Sequence, residues 1–292
     1  MEDRVERLAA RAEALVERLE ALLPPAPGVP DWDAAVALRW QRRGARGGLE
    51  AVPRPHPIAL DQLHGIDRQK AELVRNTRQF LAGLPANNAL LWGSRGTGKS
   101  SLVKALLTAY APLGLRLIQV QPHDLADLPD IVTQVEGRGE RFLVFCDDLS
   151  FNADDASYKA LKATLDGSVQ APPDNLLIYA TSNRRHLLPE FMEENLDARL
   201  VDGEIHHGEA VEEKISMSER FGLWLSFHPF SQEGYLAICR AWLQTLGVAD
   251  SDSERVREEA LRYALGRGSR SGRVAWQFAR DWAGRTALET GQ

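Results

Sequence analysis

Residues 93–100, Gly-Ser-Arg-Gly-Thr-Gly-Lys-Ser, follow the apolar run Ala89–Trp92 and lead into a helix-patterned stretch. This G-x-x-x-x-G-K-[ST] pattern between a strand and a helix restricts the fold more than any other feature of the chain. Glycines let the backbone curl until successive N–H groups point inward, and the positive end of the following helix reinforces them, so the concavity suits phosphate oxygens. A chance match in a chain of 292 residues is on the order of one in a hundred at average residue frequencies. On this reading Gly93, Ser94, Arg95, Gly96, Thr97, Gly98 and Ser101 line a phosphate cradle. Lys99 reaches the β and γ phosphates of ATP, and the Ser100 hydroxyl ligates Mg2+.

Such a loop needs a second acid at the end of a buried strand, and "RFLVFCDDLS" supplies one. Asp147 is the expected magnesium partner and Asp148 then sits beside the γ phosphate; the bland alternative for the pair is a helix cap. Candidate strands at 89–92, 115–120, 141–146, 175–181 and 223–227 alternate with helical stretches, which predicts a parallel sheet covered on both faces. After Pro229 the pattern turns wholly helical, in three segments of which the first two end in glycine.

Upstream, Val5, Leu8, Ala12, Leu15, Leu19 and Leu22 form a narrow apolar seam, which predicts a helix over residues 1–23, either an oligomerising arm or one docked on its own domain. "PPAPGVP" breaks it. Residues 24–57 then read as a linker containing a short helix capped by Asp31 or Asp33, with Trp32, Val36 and Trp40 on one face against the main domain. The expected organisation is therefore 1–23 N-terminal helix, 24–57 linker, 58–228 α/β nucleotide-binding domain and 229–292 helical lid.

A formal net charge of −6 gives no global attraction to nucleic acid or to an anionic membrane. The apolar runs are far below the roughly 20 residues of a membrane span. The acidic start lacks a secretory pattern, so a cytoplasmic protein is expected. "RWQRRGAR" is the most basic stretch, read as a solvated flank in preference to a nucleic-acid contact. Cys146 and Cys239 are too few for a disulfide framework or a zinc site. His206 and His207 match no common zinc spacing. The acidic segment 184–219 is either a partner-facing insertion or part of the domain.

With these residues placed, the chain from about residue 58 onward resembles an AAA+ ATPase. The stretches "ALDQLHGIDRQK", "GSRGTGKSSLVKALL", "FCDDLSF", "YATSNRRHLLPE" and "SERFGLWLSF" together resemble an uncharacterised bacterial family of AAA+ ATP-binding proteins. The resemblance implies a five-stranded parallel sheet flanked by helices and followed by a small helical lid. It implies that Asn183 is the sensor 1 residue, with Thr181 the weaker candidate. Arg220 in "SERFG" becomes an arginine finger for a neighbouring subunit, Arg273 the sensor 2 arginine with Arg270 as runner-up, and Gly65, Ile66 and Asp67 border the adenine. It further implies a nucleotide-dependent homo-oligomer, a hexamer among the forms open to it, that hydrolyses ATP slowly while remodelling or loading a macromolecular partner. That partner is a protein in the first instance, with weak support for nucleic acid and none for a membrane. The alternative is an ATP-dependent switch similar to helicase-loader ATPases. One departure stands out: most AAA+ hydrolases place Glu where this chain has Asp148, an arm shorter by roughly 1.5 Å.

Overall fold

A computed structural model describes residues 31–44, 46–150, 156–166, 173–184, 199–201, 204–206 and 219–290, with a few isolated positions before residue 31. The helix expected over 1–23 and most of the 184–219 segment lie outside the described residues. Among the latter, β7 (Arg199–Val201) and β8 (Glu204–His206) pair antiparallel.

The sheet has seven strands, not five. Its order is β2 (Arg46–Ala51), β1 (Ala37–Arg43), β4 (Leu115–Val120), β5 (Arg141–Cys146), β6 (Leu176–Ser182), β3 (Ala89–Gly93) and β9 (Leu223–Phe227). From β1 to β9 all neighbours are parallel, and β2 joins β1 antiparallel at the edge. The parallel strands are buried on both faces, so they read as near-continuous apolar runs. In β5, Phe142, Val144 and Cys146 enter one core while Leu143 and Phe145 enter the other. The first core packs under α3 (Leu128–Val135) and α4 (Ala156–Asp166) through Leu128, Ile131 and Leu161. The second packs under α1 (Asp67–Leu81) and α2 (Lys99–Tyr110) through Leu73, Phe80, Leu102 and Leu106. Tyr179 is buried in that second core, and its hydroxyl meets Asn76 and Thr77 at 2.9 and 3.0 Å, tying β6 to α1. Burial pushes its phenol up to about 12.

Residues 31–51 correct the expected linker and its short helix. Asp31 does cap a turn, accepting from Asp33 and Ala34 N–H at 3.1 and 3.2 Å. One turn later the chain extends into β1, because the edge of β4 offers unpaired backbone groups. Leu117 N–H donates to Val36 O at 3.1 Å, and Ala37, Leu38 and Arg39 pair with Leu117, Ile118 and Gln119. The i, i+4 spacing of Trp32, Val36 and Trp40 mimicked a helix, while sheet pairing outweighs local propensity here. Leu38, Trp40 and Leu49 are buried, Trp40 Nε1 donates to Asp127 Oδ2 at 3.0 Å, and Trp32 meets Phe142 edge-on at 5.9 Å.

The lid comprises α5 (Gln232–Thr245), α6 (Glu254–Gly266) and α7 (Gly272–Thr290) around Tyr235, Cys239, Ala260 and Phe278. Ser231 and Ser253 cap the first two helices, accepting from Gly234 and Val256 N–H. Among the described residues no helix is long and apolar enough to cross a membrane.

If the hairpin is integral to the core, Trp40→Ala lowers the unfolding free energy in a urea titration by about 3–5 kcal/mol. A loss below about 0.5 kcal/mol would instead make it a surface appendage.

Candidate functional site

The glycine-rich loop leaves β3 at Gly93, where φ is 124° and a Cβ would stand 2.0 Å from Phe227 O. Ser94 N–H donates to that same carbonyl at 2.9 Å, so β9 sets the direction in which the loop departs. Gly98, with φ 102°, turns the chain into α2, and Ile66 Cδ1 lies 3.3 Å from where a Cβ of Gly98 would stand. Thr97, buried, closes the loop by donating to Ser94 O at 2.8 Å. Ser101 lies in the first turn of α2.

Lys99 is buried at the start of α2, and its ammonium donates to Gly93 O at 2.6 Å, Ser94 O at 2.8 Å and Asn183 Oδ1 at 3.2 Å. Burial pulls its pKa below the ordinary lysine value; the Asp147 and Asp148 carboxylates oppose that shift, while Arg95 and Arg273 add to it. Lys99, Arg95 and Arg273 thus put three positive charges about one loop, an arrangement that a bound anion would relieve.

The acids are organised from β6. Ser100 Oγ donates to Asp147 Oδ1 at 2.5 Å, and Thr181 Oγ1 donates to the same oxygen at 2.5 Å. Thr181 Oγ1 in turn accepts the Asp148 N–H at 3.0 Å, and Thr181 O accepts from Leu149 N–H at 2.7 Å. Asp148 alone among the described non-glycine residues has a left-handed backbone, φ 55°. Its carboxylate accepts from the Asn183 amide. The polar chain therefore runs from Ser100 through Asp147, Thr181, Asp148 and Asn183 back to Lys99, the neighbour of Ser100.

The donor set fits a magnesium ion held jointly with phosphates. Among the described residues no cluster of three or more His, Cys, Asp or Glu could hold a metal ion. One hydroxyl beside one carboxylate at the mouth of a phosphate cradle is the kind of partial shell that Mg2+ completes with water and nucleotide oxygens.

The lid reaches the loop through Ser271 and Gly272, which the sequence did not single out, and through Arg273, which it did. A Cβ on Gly96 would meet Ser271 Oγ at 2.9 Å, one on Gly272 would lie 3.2 Å from Gly96 O, and Arg273 N–H donates to Gly96 O at 3.3 Å. Arg273 is thus brought to the loop, and the exposed Arg270 precedes the contact. Gly65, with φ 75°, faces Phe230 and Ile238 of the lid side, while Asp67 opens α1. Arg220 is not brought to the loop. It precedes β9, whose Leu223 pairs with Ala89 at the opposite end of β3 from Gly93, roughly 13 Å of strand away. Thr181 holds both acids, a role that sequence reading missed. Its i, i+2 relation to Asn183 was the available signal.

Thr181→Val keeps shape but leaves Asp147 Oδ1 and the Asp148 N–H short of a partner. It is expected to cost about 1–3 kcal/mol in unfolding and to weaken magnesium-dependent ATP binding by titration calorimetry, with Thr181→Ser restoring both. Unchanged magnesium dependence in Thr181→Val would reduce the residue to a packing role.

No curated protein matches the sequence significantly. Among solved structures, the Thermotoga maritima RuvB Holliday junction branch migration motor aligns with a TM-score of 0.48 at 17% identity, over 77% of this chain and 63% of that one. A structure of a point variant of the same Thermotoga maritima protein aligns with a TM-score of 0.49 at 16% identity over the same shares. The chain thus spans under two thirds of the length of these structures. A family model described as a protein of unknown function, DUF815, matches residues 33–286. The chain belongs to the DUF815 family.

Proposed function

We propose that this chain is a magnesium-dependent, oligomeric ATPase that couples slow ATP hydrolysis to remodelling or loading a macromolecular partner. The observation that carries the reading is the hydrogen-bonded circuit that gathers Lys99, Ser100, Asp147, Asp148 and Asn183 at the carboxyl ends of β3, β5 and β6.

Lys99 offers a buried positive charge to the β and γ phosphates of ATP, and the loop N–H groups orient them. Ser100 and Asp147 would hold a magnesium ion together with the phosphates, and the ion would supply charge neutralisation for phosphoryl transfer. Asp148 and Asn183 together orient the attacking water. Arg220 lies too far from its own loop to act there, so in this reading it acts on a neighbouring subunit, and Arg273 reports the γ phosphate to the lid. Gly65 and Ile66 border the base.

The second reading, an ATP-dependent switch with little turnover, draws on the state of Asp148. Its short carboxylate is already engaged by Asn183, and Asp reaches less far toward a water than Glu would.

A phosphate-release assay tests both. The ATPase reading expects turnover below about 10 per second that rises with protein concentration. Arg220→Ala is expected to lower kcat by on the order of a thousandfold while sparing ATP affinity, and Lys99→Ala to weaken ATP binding by about tenfold or more. Turnover unchanged in Arg220→Ala would remove that residue from the site. Tight ATP binding with turnover on the scale of minutes, with and without partners, would favour the switch. Absence of ATP binding by the wild-type chain would overturn both readings.

A further inference from the structure

The sheet edge opposite β9 carries chemistry that the ATP site does not use. Residues 39–46 contain four arginines with no lysine and no acid, in a chain of net charge −6. On β1, Arg39, Gln41 and Arg43 alternate with Leu38 and Trp40, which are buried in the α3–α4 core. Ala37 opens the other face and packs with the α1–α2 core, but beyond it the helices no longer cover the sheet: Arg39 and Arg43 are exposed and Gln41 is half-buried. Same-face residues on a strand stand about 6.6 Å apart, a spacing close to the step between phosphates along an extended nucleic-acid strand.

Beside this stripe a cleft of about 230 Å³ opens between β1 and the turn after β4, lined by Arg39, Gln41, Arg42, Gln121, His123 and Asp124. It lies at the carboxyl end of β4, the sheet end that also carries the glycine-rich loop and Asp147. Part of the basic character is already committed to the fold. Asp127 accepts from Arg42 at 3.3 Å and from Trp40, anchoring the hairpin, and Arg43 pairs with Glu50 at 2.5 Å. Arg39 has no ion pair among the described residues. The His123 side chain is 79% exposed.

We propose that this corner binds a single-stranded nucleic acid, with Arg39 and Arg43, two same-face steps apart, on alternate phosphates and one base entering the cleft between Gln41 and Gln121. Guanidinium groups bind phosphate bidentately and stack on bases, which suits an all-arginine patch. Side-chain amides read base edges, and a single strand presents edges and phosphates together. A cleft of about 230 Å³ has room for one unpaired base, whereas the bases of a duplex are paired and stacked and not free to enter it. An acidic polypeptide would meet the arginines but brings no planar group for the cleft. The proposal names the partner of the ATPase reading and rests on that reading for its purpose, whereas the strand contact itself needs no ATP.

The test uses the full chain and fluorescence anisotropy with labelled single-stranded DNA, single-stranded RNA and a DNA duplex, with polyglutamate as competitor and ATP binding measured in parallel. The expected result is saturable binding of a single strand, its log affinity falling with log salt by about 0.7 per phosphate contacted. The DNA and RNA arms identify which strand is preferred. Arg39→Glu is expected to weaken binding about tenfold or more and to shallow the salt slope by about one contact, and His123→Ala to weaken it less, with ATP binding unchanged in both. No strand binding at low salt, undiminished binding in Arg39→Glu, or equal affinity for the duplex or polyglutamate would overturn the proposal. Absence of strand binding by the wild-type chain with ATP binding intact rejects this site alone, and strand binding by the wild-type chain without ATP binding rejects the ATPase reading alone.

Discussion

Everything at the candidate site depends on how closely two backbones approach at the carboxyl end of β3. With Phe227 O 2.0 Å from where a Cβ of residue 93 would stand, no side chain fits, and φ 124° suits glycine alone. The same carbonyl takes the Ser94 N–H. Edge strand β9 therefore acts as a template: it turns the loop away from the sheet plane, and the loop then delivers Lys99 and Ser100 at the first turn of α2 beside the ends of β5 and β6. A side chain at 93 would have to separate β3 from β9, moving the loop and the strand end together.

Once the loop is placed, its charges are held by one another. Lys99 is buried, and a buried ammonium without partners costs several kcal/mol. Two loop carbonyls and Asn183 supply those partners, and Asn183 also engages Asp148. Thr181 satisfies both acids from a fully covered strand position. This has a consequence for binding. On the ATPase reading, phosphate oxygens would compete with the loop carbonyls for the Lys99 ammonium, and a magnesium ion would compete with Ser100 and Thr181 for Asp147. Part of the binding free energy would then go into rearranging a satisfied network that touches β6.

The central sheet and the lid were legible because their signals are local. Apolar runs of strand length, glycines in the loop, and Ser231 and Ser253 ahead of apolar-periodic stretches each report a nearby backbone requirement. The chain order of Lys99, Asp147, Asp148 and Asn183 was legible for the same reason, Lys99 opening the helix after the glycine loop and the other three following the ends of β5 and β6. The hairpin was not. Trp32, Val36 and Trp40 repeat at four residues, and the deciding fact, the open edge of β4, lies nearly 80 residues away in the chain. Yet Val36, Leu38 and Trp40 also alternate, and Gly44, at φ 64°, sits in a two-residue connection between the paired Arg43 and Arg46. These are hairpin signals that the tryptophan spacing obscured. The contact of Ser271 and Gly272 with Gly96 had no comparable trace, because it is made by backbone and small side chains across a domain boundary.

That boundary contact bears on how nucleotide state is communicated. Gly96 touches Ser271 and Gly272 closely enough that a methyl on either glycine would crowd the other side, and Arg273 N–H is bonded to Gly96 O. The lid is thus seated on the loop through the N-terminal end of α7, while Phe230, which also lies 3.8 Å from where a Cβ of Gly272 would stand, and Ile238 seat it on Gly65. These contacts, which share Phe230, form a bearing between loop and lid. On the ATPase reading, a displacement of the loop as Lys99 exchanged carbonyls for phosphates would reach the start of α7. Because α7 packs with α5 and α6 in one buried cluster, it would be carried to the three helices together. A bulky residue at 96 or 272 would act on that coupling by wedging the bearing open, with the circuit from Ser100 to Asn183 left in place.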